Sequence, residues 1–490
     1  SALSGRDTPI RLFFMRAIGN PYKNRIFATL CLRPERHGKC KISARLMKPT
    51  RKQIWTIAYP ILISLLMENM IGLTDTAFLG RVGEVELGAS ALGSVYYLVI
   101  FMLGFGFGIG AQILIARRNG EKAYALIGPL FQQGLLFLLS LATVMFVISH
   151  TFTPMVLRSL ISSDEVYEAA VSYTNWRVFG FFFAFVAIMF RAFFVGITNT
   201  KTLTLNSIVM VLSNVVLNYV LVFGKLGLPA MGIAGAAIAS SASEMISMVF
   251  FIVYTRLRID HRKYGLFRFA GFSPRLLRGM LNVSVWTMIQ MFVAISTWFL
   301  FFIAVEHLGE RPLAVTNIIR SVSGIVFVIV SSFASTASTL VSNQMGAGQP
   351  ELVAGTTRRI VGMCYLIVIP LLALFAAFPE LILRIYTDEQ SLIDGSVASL
   401  RVMLSSYLIS VPAFIRFNVV SGTGNTALGP DAGARDAERI RGLYGLDRSF
   451  QALGRRAVLD HRTRLRAGTA AVGKPLPEKG PLARPENIKR

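Results

Sequence analysis

The stretch AYPILISLLMENMIGLTDTAFLGRVG (58–83) decides how the chain is read. Between Ala58 and Gly80 it carries only two charged side chains, Glu68 and Asp75, and it outlasts the roughly 20 residues a helix needs to cross a hydrocarbon core of about 30 Å. Working outward from this first run, near 54–79, similar windows fall near 87–115, 126–149, 170–190, 193–223, 232–255, 277–304, 313–341, 359–378 and 396–420. Connectors such as GRVGEVE (80–86), ARRNGEK (116–122) and GERP (309–312) separate them. The spacing predicts an all-α polytopic membrane protein of about ten spans.

Composition agrees. The 490 residues are 53% hydrophobic and only 16% charged, where a soluble domain carries about a quarter charged residues. Three cysteines (Cys31, Cys40, Cys364) without a CxxC pair suggest neither a disulfide framework nor a zinc site. There is no P-loop GxxxxGK[ST], no HExxH and no GxSxG in a strand-turn-helix setting, which argues against an enzyme and against ATP-driven work.

Of the +24 formal charge, +8 belongs to residues 1–46 and +7 to 427–490. Neither tail interleaves its basic residues with aromatics or shows a helix-turn-helix pattern, so no nucleic-acid partner is expected. Residues 1–46 do not read as a secretory signal. Met47 opens MKPTRKQIW, a basic stretch running straight into the first span, and the expected start is Met47, with 1–46 as upstream sequence. If the segment before the first span is cytoplasmic, cytoplasmic connectors hold about 18 Lys/Arg and the opposite ones five (Arg81, Arg158, Lys225, Arg311, Arg384), which orients the chain with its N-terminus in the cytoplasm.

The two halves repeat. A shift of 226 residues lays LGASAL (87–92) on LAVTNI (313–318), Asn119-Gly120 on Met345-Gly346, and VGITNT (195–200) on SGTGNT (421–426). Two bundles in one orientation are the pattern of parallel transporter repeats. They divide the chain into an N-terminal lobe (47–255), a basic cytoplasmic linker (256–279) and a C-terminal lobe (280–426). After Thr426, where the repeat calls for two more spans, the sequence turns to GPDAGARDAERIRGLYGLDRSF, rich in Arg, Ala and Gly. A shifted reading frame or junction near 427 is expected there, with a cytoplasmic domain as the alternative.

Ionisable groups inside a bilayer are functional candidates by default. Glu68 and Asp75 lie seven residues apart on one helix face, and Glu244 lies in the sixth span. A carboxyl kept from water can take up and release a proton, or hold a monovalent cation when ionised; the alternative is an interhelical hydrogen bond. Asn214 and Asn218 sit one turn apart on the fifth span, as do Ser240 and Glu244 on the sixth, and together they form a candidate cation-coupling pocket around Asp75. Met67, Met70, Met288, Gln290 and Met291, near Trp286, Phe292 and Trp298, offer a soft lining for a substrate cavity. Arg320, Asn317 and Arg177 face a watery cavity or snorkel.

These residues carry a resemblance. Residues 58–83, with an early Pro and the LTDT motif, resemble the first helix of the MATE (multidrug and toxic compound extrusion) family. GITNTKTLTLNSIVMVLSNVVLNYVLVFG (196–224) and GIAGAAIAS (232–240) resemble its fifth and sixth helices, within a likeness covering about 47–426. The resemblance implies a twelve-helix antiporter of two six-helix lobes that exports amphiphilic, often cationic drugs against inward protons or sodium ions. It would be multi-pass in the bacterial inner membrane, monomeric, and without a cofactor beyond the coupling ion. It also implies that Asp75 is the coupling aspartate, that Asn214 belongs to its polar network, and that Ser240 stands where a Thr is common. Asn218 replaces a second Asp found in many members. Ala294 stands where the sodium-coupled branch has Glu, which favours the DinF-like branch and protons and leaves sodium open. The rivals are a lipid-linked oligosaccharide flippase of the same superfamily and a non-transporting membrane scaffold.

Overall fold

In the computed structural model, residues 49–161, 163–268, 271–306, 310–387 and 389–424 are described. The expectations for 1–46, the start at Met47 and the break in composition near 427 lie outside them. Among the described residues the regular elements are all helical, twelve α-helices and one short 3-10 turn. The N-terminal half comprises α1 (Arg51–Leu79), α2 (Glu84–Gly120), α3 (Ile127–Leu160), α4 (Asp164–Arg177), α5 (Gly180–Gly196), α6 (Lys201–Phe223) and α7 (Gly232–Arg258). The C-terminal half comprises α8 (Pro274–Glu306), α9 (Glu310–Gly346), α10 (Leu352–Ala377), the five-residue α11 (Pro379–Leu383) and α12 (Gln390–Gly422).

Among the described residues nine helices are long and apolar enough to span a membrane unbroken, and α4 with α5 makes a tenth that is bent by 47°. The fourth span thus reaches Gly196 instead of ending near 190. The connector expected at 190–193 is helical, and Arg191 lies within the span. The expected linker 256–279 shortens to the fifteen or so residues between Arg258 and Pro274, and it is docked on the lobe it follows. Leu266 is buried in the N-terminal core, and the Tyr264 ring meets Phe193 edge-on at 5.4 Å.

Local chemistry explains the helix starts. Thr50 caps α1 reciprocally with Gln53, each side chain accepting from the other's backbone N–H at 3.2 and 2.9 Å, which satisfies two otherwise orphaned donors. Pro60 inside α1 cannot donate to the Thr56 carbonyl, and the Thr200 hydroxyl of the turn before α6 donates to that oxygen instead, at 3.4 Å. One turn on, Thr204 donates to the Pro60 carbonyl at 3.1 Å. The proline therefore ties α1 to α6, the pair that later brackets Asp75.

Two apolar cores result. The first is dense in aromatics (Phe107, Phe181, Phe185, Phe193 and Phe194 are all fully buried) and belongs to the N-terminal half with the start of α8. The second joins α9, α10 and α12. Helix α1 serves both, with Ile57 and Ile61 in the first and Ile54 and Ala58 in the second. Outward-facing side chains are apolar too: Met155 is 75% exposed, Leu366 74% and Val402 70%. Such a surface is stable against lipid and aggregates in water.

The halves meet along a seam at the end of the bundle where α1 begins, here called the basic end. Gln112 Nε2 donates to Thr339 Oγ1 at 2.8 Å, Asn119 Nδ2 to Asn343 Oδ1 at 2.8 Å, and Ser342 Oγ to the Ile113 carbonyl at 2.7 Å. The seam carries the sequence repeat. A Cβ on Gly120 would lie 2.0 Å from the Asn343 carbonyl oxygen, and a Cβ on Gly346 would lie 2.0 Å from that of Arg117. Gly346 is Gly120 shifted by 226, and Asn343 is Arg117 shifted by 226, so each half presents the same patch to the other, as a two-fold contact requires. Gly120→Ala is therefore expected to cost about 1–3 kcal/mol by forcing two backbones apart, whereas Gly324→Ala, with nothing within 4 Å of its Cβ, should be neutral or slightly stabilising. Thermal unfolding of the two purified variants in detergent checks this, and equal melting would contradict the seam.

Candidate functional site

Three polar layers interrupt the apolar packing of α1–α7. The first is centred on Asp75, on the last turns of α1. Asn218 Nδ2 donates to Asp75 Oδ1 at 2.7 Å, Asn214 Nδ2 donates to the same oxygen at 3.2 Å, and Ser240 Oγ donates to Oδ2 at 2.7 Å. Asn214 and Asn218 are fully buried and linked to each other at 3.1 Å, and Asn214 also donates to Ser240 at 3.2 Å. The one-turn spacing of the two amides on α6 aims both at a single carboxylate. Such convergence on an anion in a water-poor setting fixes the carboxylate in place and ties together α1, α6 and α7. Asn218 Oδ1 is buried without a hydrogen-bond partner.

The second layer is an ion pair at the break between α4 and α5, joining the last residue of α4 to α7. Arg177 donates to both Glu244 oxygens, at 2.7 and 3.0 Å, and the Tyr97 hydroxyl lies 3.0 Å from each of them. The guanidinium carbon sits 3.6 Å from the Tyr97 ring centroid, adding a cation–π contact. Gly180 makes room for this fold-back, since a Cβ there would come within 2.4 Å of both Arg177 Nη1 and Glu244 Oε2. The third layer pairs Arg191 of α5 with Glu68 Oε1 of α1, which also accepts from Ser64 at 3.2 Å. Nearby, Asn206 and Ser247 hydrogen-bond reciprocally at 2.8 and 3.0 Å.

All three layers open on one cavity of about 490 Å³, lined by Asp75, Glu68, Glu244, Arg177 and Arg191 among aromatic walls that include Tyr97, Phe101, Phe105 and Phe251. That volume suits a drug-sized ligand held by apolar walls and a few oriented polar groups.

Of the expected pocket, Asp75, Asn214, Asn218 and Ser240 come together. Glu244 does not join them, because Arg177 and Tyr97 occupy both its oxygens. Glu68 lines the same cavity but is held by Arg191. The expected methionine-lined cavity is displaced: Met67, Met70, Met288, Gln290, Met291 and Arg320 do not line this one. The reason is packing. The Met288 backbone would lie 2.6 Å from a Cβ on Gly106, so that face of α8 is committed to the seam with α2. Met70 is 46% exposed, and Arg320, on the exposed side of α9, donates to Asn317 at 2.9 Å. Arg177 does not snorkel, since Glu244 holds it inside. Sequence reasoning missed Arg191 and Tyr97. Arg191 carried a signal, as a lone cation in FFFAFVAIMFRAFFVG (181–196). Tyr97 carried none.

The MatE family profile matches residues 60–220 and 273–429. Similar relatives include a probable multidrug resistance protein NorM of Pasteurella multocida, 24% identical over 76% of this chain and 78% of its own length. Another is a probable multidrug resistance protein YoeA of Bacillus subtilis, 25% identical over 74% of this chain and 80% of its own. Among solved structures, a multidrug resistance MATE family transporter of the MOP superfamily in an outward-facing conformation superposes with TM-score 0.70 at 19% identity, covering 77% of this chain and 83% of that one. A MATE in the bent conformation gives 0.71 at 19% identity, covering 78% and 83%. The shared architecture joins the profile's two blocks, one in each half: the chain belongs to the MatE family.

Proposed function

We propose that the chain is a secondary multidrug transporter of the bacterial inner membrane, exporting amphiphilic cationic drugs in exchange for protons taken up at Asp75. The observation that carries this is the placement of the Asp75 carboxylate, held by three donors from two other helices, on the wall of a drug-sized cavity. The names of the NorM and YoeA relatives support the substrate class.

The cluster suits a proton. Amides and hydroxyls both donate and accept, so adding a proton to Asp75 can be answered by turning the Asn218 amide to bring its partnerless Oδ1 round as acceptor, with Asn214 and Ser240 reversing in step. The same proton removes the charge that a cationic ligand would neutralise. Proton and drug thereby compete for one state of Asp75, which is all that exchange requires thermodynamically. Sodium is the second reading; the donors facing Asp75 are amide nitrogens and a hydroxyl, a set that fits an anion rather than a shared cation. A lipid-oligosaccharide flippase needs unpaired cavity cations for pyrophosphate, but both cavity arginines are engaged by carboxylates. A scaffold has no use for the cavity.

The basic connectors support a cytoplasmic N-terminus, which makes the seam of α2, α8 and α9 a cytoplasmic closure and lets the monomer alternate access by rocking its lobes about it.

Two outcomes are expected. Asp75→Asn should abolish drug resistance in a sensitive host, and drug-driven proton release by purified protein, while membrane levels stay normal; unchanged resistance would remove Asp75 from the mechanism. In a background without Cys31, Cys40 and Cys364, joining Asn119→Cys to Asn343→Cys with a short bis-thiosulfonate should stop export until a reductant is added. Export that continues through the link would mean that the seam never opens.

A further inference from the structure

The acidic and basic side chains lining the cavity are three carboxylates (Glu68, Asp75, Glu244) and two guanidiniums (Arg177, Arg191). Pairing leaves one negative charge over, that of Asp75. The two ion pairs differ. Arg177–Glu244 is closed: both oxygens are bridged, Tyr97 seals them, and the two side chains are 12% and 15% exposed. Glu68 is open: Arg191 and Ser64 both donate to Oε1, and the Glu68 side chain is 36% exposed. Its charge faces the cavity and is balanced there by one guanidinium. That guanidinium enters from an apolar stretch in which Met189, Phe190, Ala192 and Phe193 are all buried, so Arg191 has a place there because of its partner.

We propose that Arg191 is a specificity-determining residue: by holding Glu68 it fixes the cavity at one net negative charge and so selects singly charged cations over doubly charged ones. The inference rests on the export function proposed above. A monocation compensates Asp75 and completes the balance. A dication brings a second charge into a space walled by Phe101, Phe105 and Phe251, where an unmatched charge costs far more than in water. Without Arg191, Glu68 would supply the match.

Ethidium and propidium share a ring system and carry one and two positive charges, so their affinities for purified full-length protein in detergent at one fixed pH read the charge balance directly. The wild type should bind ethidium at least about tenfold more tightly than propidium. Arg191→Met should shift the ratio toward propidium by about tenfold or more, equivalent to about 1.4 kcal/mol. Arg191→Lys should keep the wild-type ratio, and Glu68→Gln combined with Arg191→Met should restore it, which a loss of shape at position 191 would not do. Glu68→Gln alone leaves Arg191 unbalanced and should weaken ethidium by about tenfold, a readout that stands even if Arg191→Met cannot be purified. An unchanged ratio in Arg191→Met, a double variant that keeps the single variant's ratio, or unaltered ethidium binding by Glu68→Gln would each overturn the assignment while export stands. Wild-type protein that binds neither dye would overturn the export function and this inference with it.

Discussion

A carboxylate in a bundle surrounded by lipid has to be met by donors from its neighbours, because no water is at hand to solvate it. Asp75 meets that demand with Asn214, Asn218 and Ser240, and the requirement organises much of the N-terminal half. α6 and α7 must stand where their polar turns reach α1, and Pro60 helps to hold them there through Thr200 and Thr204. The same constraint repeated at Glu68 and Glu244 recruits Arg191 and Arg177. Each pair crosses between helices, so the charges that line the cavity also fasten its walls. Whatever changes the state of one of them changes a contact between elements.

Between the halves the governing contact is of the opposite kind. At the basic end, Gly120 and Gly346 let the backbones of α2 and α9 touch, and the polar side chains there bond to one another or to the facing backbone. Small residues and modest hydrogen bonds suit a membrane interface that parts in the proposed export cycle, since neither side buries apolar surface that lipid could not equally cover. The aromatic core of the N-terminal half runs up to this seam through Phe107, Ala111 and Ile115 of α2 and Met280 of α8.

Span number, helical class and the two-fold repeat were legible in the sequence because each rests on a long-range average, apolar run length or a recurring shift, that local detail cannot hide. Asp75 and its amides were legible because a charge or an amide in an apolar run has few structural reasons to be there. What the sequence did not disclose depended on geometry between helices. Glu244 read as a partner for Asp75 because Ser240 lies one turn away, and only the bend after Arg177 reveals a nearer cation. Arg191 was hidden by a misplaced boundary, which put it in a connector where a basic residue is ordinary. The methionines of α1 and α8 read as cavity lining on composition alone, and packing of α8 on α2 put that face to another use.

The repeat makes the position of the charges more telling. The shift of 226 that matches Gly120 to Gly346 places Ala294 and Phe301 opposite Glu68 and Asp75, and Met403 and Phe417 opposite Arg177 and Arg191. The halves therefore share the parts that fold and dock, whereas the charges that line the cavity belong to one of them. In the second half the position matching Tyr97 is Ser323, which bonds Tyr407 at 2.7 Å in a neutral contact. A pseudo-symmetric hinge driven from both sides would receive opposed pushes from a single proton. On the proton exchange proposed above, a change of charge at Asp75 would act on that lobe alone, and the other would give it a fixed surface to move against.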